Sequence, residues 1–281
     1  WDNLPTIKGS LSDGLLKALD TKPKVEQKID TTNPEAYEFY LKAKHKYAKR
    51  ENTDDTEIAR GLLKKAIELD DNLISAKNLL GTTYMQMGDY DEAMEIYVPA
   101  LKQAEELGDK YGMGASLNSI GIVRSEKCDY DTALDYYGRS LAIREELGDK
   151  RGMGYSLNNI GLVHASKGDY NKAAEHLEKS LAIQKEIGFK GLELFTTTYL
   201  YLSYKHLGKD YDVNEIHSFI KDAENIEFEV NFRIYELLDD TTYLETAYNQ
   251  VQEKASAMDD GKTFLSYPIP KAIVEAWERI K

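Results

Sequence analysis

The chain has 281 residues, with 49 acidic against 36 basic side chains and a net charge of −13. That balance excludes the usual nucleic-acid surface, which needs a basic stripe, and none is visible; a neutral or basic protein partner suits it better. A single cysteine, Cys128, excludes an internal disulfide framework, and no signal peptide or long apolar run appears, so the chain is expected to be cytoplasmic with no membrane contact.

Residues 1–32 read as a short helix capped by Ser10 and carrying Leu11, Leu15, Leu16 and Leu19, followed by a linker through Lys22-Pro23-Lys24 and Asp30-Thr31-Thr32. Asn33-Pro34-Glu35 is a strong helix start: a side-chain acceptor, a proline that needs no amide donor, and an acid at the positive end of the helix dipole. A helical array is predicted from there over 33–281. Its first hairpin pairs Tyr37, Tyr40, Leu41 and Tyr47 with Ile58, Leu62, Leu63, Ala66 and Ile67 across a polar loop from Arg50 to Thr56.

Hairpins two to four are predicted at Leu73 to Leu107, Gly112 to Leu147 and Gly152 to Ile187. Their basis is a repeat: Gly108 to Leu147 and Gly148 to Ile187 are identical at 21 of 40 paired positions. Identity at this level over one fixed period means stacked supersecondary units. Gly81, Gly121 and Gly161 fall in register, as do Asp89-Tyr90, Asp129-Tyr130 and Asp169-Tyr170, and Ala93, Ala133 and Ala173. Within each unit, apolar spacings of three and four mark two helices around a turn at Gly88, Cys128 or Gly168. A fifth pair runs from Gly191 to Ala223, and a degenerate sixth covers Phe228 to Leu238 and Thr241 to Met258. A last helix from Ile269-Pro270 through Trp277 caps the final apolar face.

The run Leu80-Gly81-x-x-Tyr84, Gly88-Asp89-Tyr90, Ala93, Tyr97 and Ala100 resembles a tetratricopeptide repeat, in which small residues sit at helix crossings and a large residue fills the gap between them. The chain departs from that pattern at Arg124 and His164, where a first-helix tyrosine is expected, and at Lys77, where tryptophan is common. The terminal proline is missing, and the period exceeds the usual of about 34 residues, as in the longer repeats of light-chain and polarity-adaptor relatives. The resemblance implies an all-α, right-handed superhelical solenoid of five to six antiparallel helix pairs. Residues 1–32 bear a weaker resemblance to the junction before the C-terminal repeat region of bacterial class III nucleotide cyclase-like signalling proteins.

In such hairpins the first helices line the concave wall, so residues recurring there are the binding candidates. Asn78, Asn118 and Asn158 recur at one position, joined by Asn159. A carboxamide both donates and accepts, and so holds a peptide backbone without reading its side chains; in longer-repeat relatives a similar ladder clamps an extended peptide. Tyr155, Ile122, Leu162 and Met85 add apolar contact. The expected function is a scaffold that binds a protein or extended peptide, with no enzymatic activity. The alternative is self-association, or a regulatory role in a larger signalling enzyme such as a nucleotide cyclase with its catalytic domain before Trp1. No cofactor or metal is expected. Gly148-Asp149-Lys150-Arg151-Gly152-Met153-Gly154 lacks the Gly-Lys-Ser/Thr ending of a phosphate loop, and the five histidines show no ligand spacing. No nucleophile comes with a base and an orienting partner.

Overall fold

In the computed structural model, which describes residues 33–50, 53–223, 226–256, 261–266 and 268–281, Asn33 opens the first helix as its sequence requires. Its Oδ1 accepts from the amides of Glu35 (3.1 Å) and Ala36 (3.2 Å), and Pro34 begins α1 (Pro34–Ala48). The same side chain donates through Nδ2 to the Leu69 carbonyl at 3.0 Å, tying the start of α1 to the end of α2 (Thr53–Leu69). Ala36, Ala43, Tyr47, Ala59, Leu63 and Ala66 are buried in this hairpin. The loop before α2 is shorter than the polar run Arg50 to Thr56 suggests, because Asp54 and Asp55 stabilise a first helical turn begun at Thr53. The short helix and linker expected within 1–32 lie outside the described residues.

The chain divides into two compact units, one ending at Leu80 and the other beginning at Gly81, with the division inside α3 (Ile74–Met85). The second unit continues as α4 (Tyr90–Leu107), α5 (Lys110–Glu126), α6 (Tyr130–Leu147), α7 (Lys150–Ser166) and α8 (Tyr170–Ile187). A single 3-10 turn at Lys190–Leu192 then leads into α9 (Glu193–Leu207), followed by α10 (Val213–Asp222), α11 (Phe228–Leu238), α12 (Thr241–Ser256), α13 (Gly261–Ser266) and α14 (Pro268–Ile280). Within this unit α5 pairs with α6, α7 with α8 and α11 with α12, and each pair packs on the next. The fold class is all-α, and the described residues contain no strand.

Two boundaries differ from the sequence reading. Helices α5 and α7 begin two residues before Gly112 and Gly152, because Asp109 and Asp149 take the cap position; Asp149 Oδ1 accepts from the Gly152 amide at 3.0 Å. The short α13 lies between the sixth pair and the capping helix, and no periodic signal announced it. In α14, Ile273 is fully buried and Trp277 stacks on Tyr248 at 5.4 Å.

The helix crossings explain the register of small and large residues. A Cβ at Gly81 would lie 2.5 Å from the Tyr97 ring, one at Gly121 would lie 2.6 Å from Tyr137, and one at Gly161 would lie 2.6 Å from Leu177. Only a residue without a side chain lets the first helix approach the ring or branch that fills the hairpin. Tyr97 is fully buried, its hydroxyl 3.0 Å from that of Thr82, and burial pushes its phenol up to about 12.

The turn between paired helices repeats its backbone bonds. Asp89, Asp129 and Asp169 donate to the carbonyls of Tyr84, Arg124 and His164 at 2.8–3.1 Å, a geometry that needs a left-handed residue just before the aspartate. Gly88 (φ 86°) and Gly168 (φ 76°) supply it without cost, whereas Cys128 adopts φ 59° with a side chain. Cys128→Gly should raise the urea midpoint by an amount equivalent to about 1 kcal/mol, while Cys128→Ala should give no gain. A fall in the midpoint of the glycine variant would show that the turn is not strained.

Candidate functional site

Helices α5, α7 and α9 are the first helices of successive pairs, so residues 40 apart occupy equivalent places on them. Adjacent residues on a helix point about 100° apart, and the two neighbouring asparagines of α7 divide accordingly. Asn159 is half-buried, and its Nδ2 donates to Oδ1 of the half-buried Asn118 on α5 at 3.1 Å. Asn158, in contrast, is only 2 % exposed, and its Oδ1 accepts from Thr196 Oγ1 on α9 at 2.9 Å.

That burial corrects the expectation that Asn158 faces an open wall. Its carboxamide belongs to a buried chain of hydrogen bonds. Gln184 donates to Thr196 and to Ser180, both at 2.8 Å, and Ser180 donates to the Gly154 carbonyl at 2.7 Å. One repeat earlier, the counterpart of Thr196 is Ser156, which pairs with Ser140 at 3.1 Å. Asn118 therefore has no hydroxyl reaching back from the next hairpin and meets Asn159 instead. Asn78, in the first unit, is also buried, at 8 % exposure.

The apolar candidates divide in the same way. Ile122, Leu162 and Met85 are part-buried, each packed against a hairpin core: Ile122 against the cluster that contains Tyr137 and Val163, Leu162 against that containing Leu177 and Leu200, and Met85 against that containing Tyr97 and Ile120. Tyr155 is different. It is 37 % exposed and meets the Phe189 ring edge-on at 5.6 Å.

Sequence reasoning missed a charged cluster contributed by later helices. Tyr199, one repeat after Asn159, donates its hydroxyl to Glu229 on α11 and accepts from Arg233 Nε at 3.1 Å; Arg233 also reaches Glu236 at 2.6 Å. Lys254 on α12 stands over the rings of Phe228 and Phe264 at 5.4 and 5.2 Å. Glu126, the last residue of α5, accepts from the Tyr90 hydroxyl at 3.3 Å. Its surface is open to solvent, yet it sits deep among protein groups. Burial first, and then the charge of Glu229, push its carboxyl up to about 7, and burial raises Glu229 as well. The register 159 to 199 was readable in the repeat. Glu229 and Arg233 were not, because the period has decayed in α11.

His164 replaces the first-helix tyrosine and stacks on His176 at 5.5 Å, with Asp169 4.0 Å away. Burial, then the charge of His176, hold its pKa below the ordinary 6.5. The unfolded chain therefore takes up this proton first, so the neutral ring's contribution is complete above that value and is lost as pH falls below it toward the folded pKa. His164→Phe should consequently lose less stability than the wild type between about pH 7.5 and about pH 5, measured as urea midpoints. Equal losses would remove His164 as the cause.

Among the described residues no group of three or more His, Cys, Asp or Glu side chains is arranged to hold a metal ion, and no helix is long and apolar enough to cross a membrane. No curated protein matches the sequence. A family model described as tetratricopeptide repeat matches residues 72–146 and again 113–186. Among solved structures, the apo form of RapI is similar at 17 % identity and a TM-score of 0.61, over 88 % of this chain and 98 % of that one. Aspartyl phosphate phosphatase F from Bacillus subtilis is similar at 18 % identity and a TM-score of 0.56, over 91 % of this chain but only 61 % of that one. BtubC (BKLC) from P. vanneervenii is similar at 21 % identity and a TM-score of 0.53, over 66 % of this chain and 77 % of that one. At these identities the likenesses concern the fold. The two overlapping matches together span residues 72–186, and this part of the chain consists of tetratricopeptide repeats, an all-α helix-pair fold that supports a protein-interaction scaffold.

Proposed function

We propose that the wall formed by α5, α7 and α9 binds an extended peptide segment of a partner protein and holds its backbone through Asn118 and Asn159. The observation that carries this reading is the 3.1 Å bond between Asn159 Nδ2 and Asn118 Oδ1. It fixes both carboxamides in one orientation, and it leaves the Asn118 amide nitrogen and the Asn159 carbonyl oxygen outside the bond. One donor and one acceptor held side by side on adjacent helices match the N–H and C=O of a peptide backbone. Orientation by a mutual hydrogen bond also lowers the ordering cost of binding.

In this reading Tyr155 supplies the exposed apolar contact. Ile122, Leu162 and Met85 contribute the outer faces of side chains otherwise committed to the cores, and Asn158 supports the wall from behind through Thr196. The acidic balance of the chain favours a protein partner over nucleic acid.

The test uses decapeptides selected from a phage-displayed random library on the wild-type chain. The double variant Asn118→Ala/Asn159→Ala should bind the selected peptides about tenfold more weakly, the loss expected for two net amide hydrogen bonds, with its melting temperature little changed. Unchanged affinity would reject the backbone clamp.

A further inference from the structure

Resting on that peptide site, we propose that the bound segment carries an acidic side chain three or four residues from the clamped backbone, and that Arg151 receives its carboxylate. Arg151, Tyr155 and Asn159 follow one another at four-residue spacing and so form one stripe along α7. The Arg151 guanidinium carbon lies 4.5 Å from the centroid of the Phe189 ring, and Phe189 in turn meets Tyr155. The cation is thus held in place by an aromatic face. The planar edge of an arginine stacked in this way remains suited to bidentate pairing with a carboxylate.

Its own surroundings give Arg151 no such partner. Arg60, Arg124, Arg139, Arg144, Arg233 and Arg279 each have a carboxylate within 4.0 Å. Among the described residues Arg151 has none, in a chain with 49 acids. The nearby Lys110 and Lys150 are engaged by Glu146 and Glu186. Helix stability does not account for Arg151 either, since it lies in the first turn of α7, where the helix dipole disfavours a cation. The same end of the wall gathers the positive helix starts of α5 and α7. The ring-stacked guanidinium without a carboxylate of its own therefore places the carboxylate of a ligand at the Arg151 end.

The spacing follows from helix and strand geometry. Eight helical residues from Arg151 to Asn159 span about 12 Å, and an extended peptide covers this in three or four residues at about 3.3 Å each. A neutral or basic side chain at that place would leave Arg151 without a carboxylate.

The experiment selects phage-displayed random decapeptides on the full 281-residue chain and, separately, on Arg151→Glu. The wild-type pool should be enriched in Asp or Glu at one position, and the Arg151→Glu pool in Lys or Arg at that position. A purified acidic wild-type peptide should bind Arg151→Glu at least about tenfold more weakly and Arg151→Gln with an intermediate loss, while both variants melt like the wild type. A wild-type pool without an acidic position, or an acidic preference that survives Arg151→Glu, would overturn the proposal. In either case the peptide site itself would stand, provided that Asn118→Ala/Asn159→Ala still weakened binding. Failure to enrich any peptide on the wild-type chain would overturn both.

Discussion

Everything on the first-helix wall depends on how closely paired helices approach, and that approach is set where a glycine backbone meets a large side chain. Gly81 against Tyr97, Gly121 against Tyr137 and Gly161 against Leu177 leave no room for a Cβ. Each hairpin is thereby held to one crossing, with Ala93, Ala133 and Ala173 completely buried beside it. Glycine inside a helix ordinarily costs about 1 kcal/mol relative to alanine. Its recurrence at three equivalent crossings shows that packing outweighs propensity here.

Fixed crossings in turn fix what neighbouring hairpins show each other. Polar side chains between them, which are costly to bury unpaired, find partners at defined places. Ser140 and Ser180 close on the carbonyls of Gly114 and Gly154, and Gln184 joins Ser180 to Thr196. Salt bridges recur at the edges with the same period: Lys110 with Glu146 and Lys150 with Glu186, then Lys127 with Asp91 and Lys167 with Asp131. These exposed pairs contribute little individually. Their repetition reports that successive hairpins stack in one geometry. That geometry brings Asn159 to Asn118 and sets Arg151, Tyr155 and Asn159 in a single stripe.

The parts of the fold that were readable are those whose cause is local and periodic. The Asn33-Pro34-Glu35 start, the glycine crossings and the Asp-Tyr turns each carry their physics in a few adjacent residues. The 40-residue repeat then supplied the pairing of helices. The fate of the asparagines was not local. Asn158 is buried because Thr196 lies across from it, and Asn118 is not, because the matching Ser156 is taken by Ser140. One hydroxyl in a neighbouring hairpin decides which partner an equivalent carboxamide meets. The Tyr199, Glu229 and Arg233 cluster was hidden for a related reason: α11 keeps its helical spacing but has lost the repeat that would have placed it.

The most direct test of the crossing is a double-mutant cycle at Gly121 and Tyr137 followed by equilibrium unfolding. Gly121→Ala alone should destabilise the chain by roughly 1 to 3 kcal/mol through overpacking, against the gain of up to about 1 kcal/mol that helix propensity would give. In a Tyr137→Ala background, where the ring is gone, the same change should become stabilising. If Gly121→Ala stabilises the otherwise unaltered chain, or if its effect is the same with and without the ring, the close crossing does not hold these hairpins together.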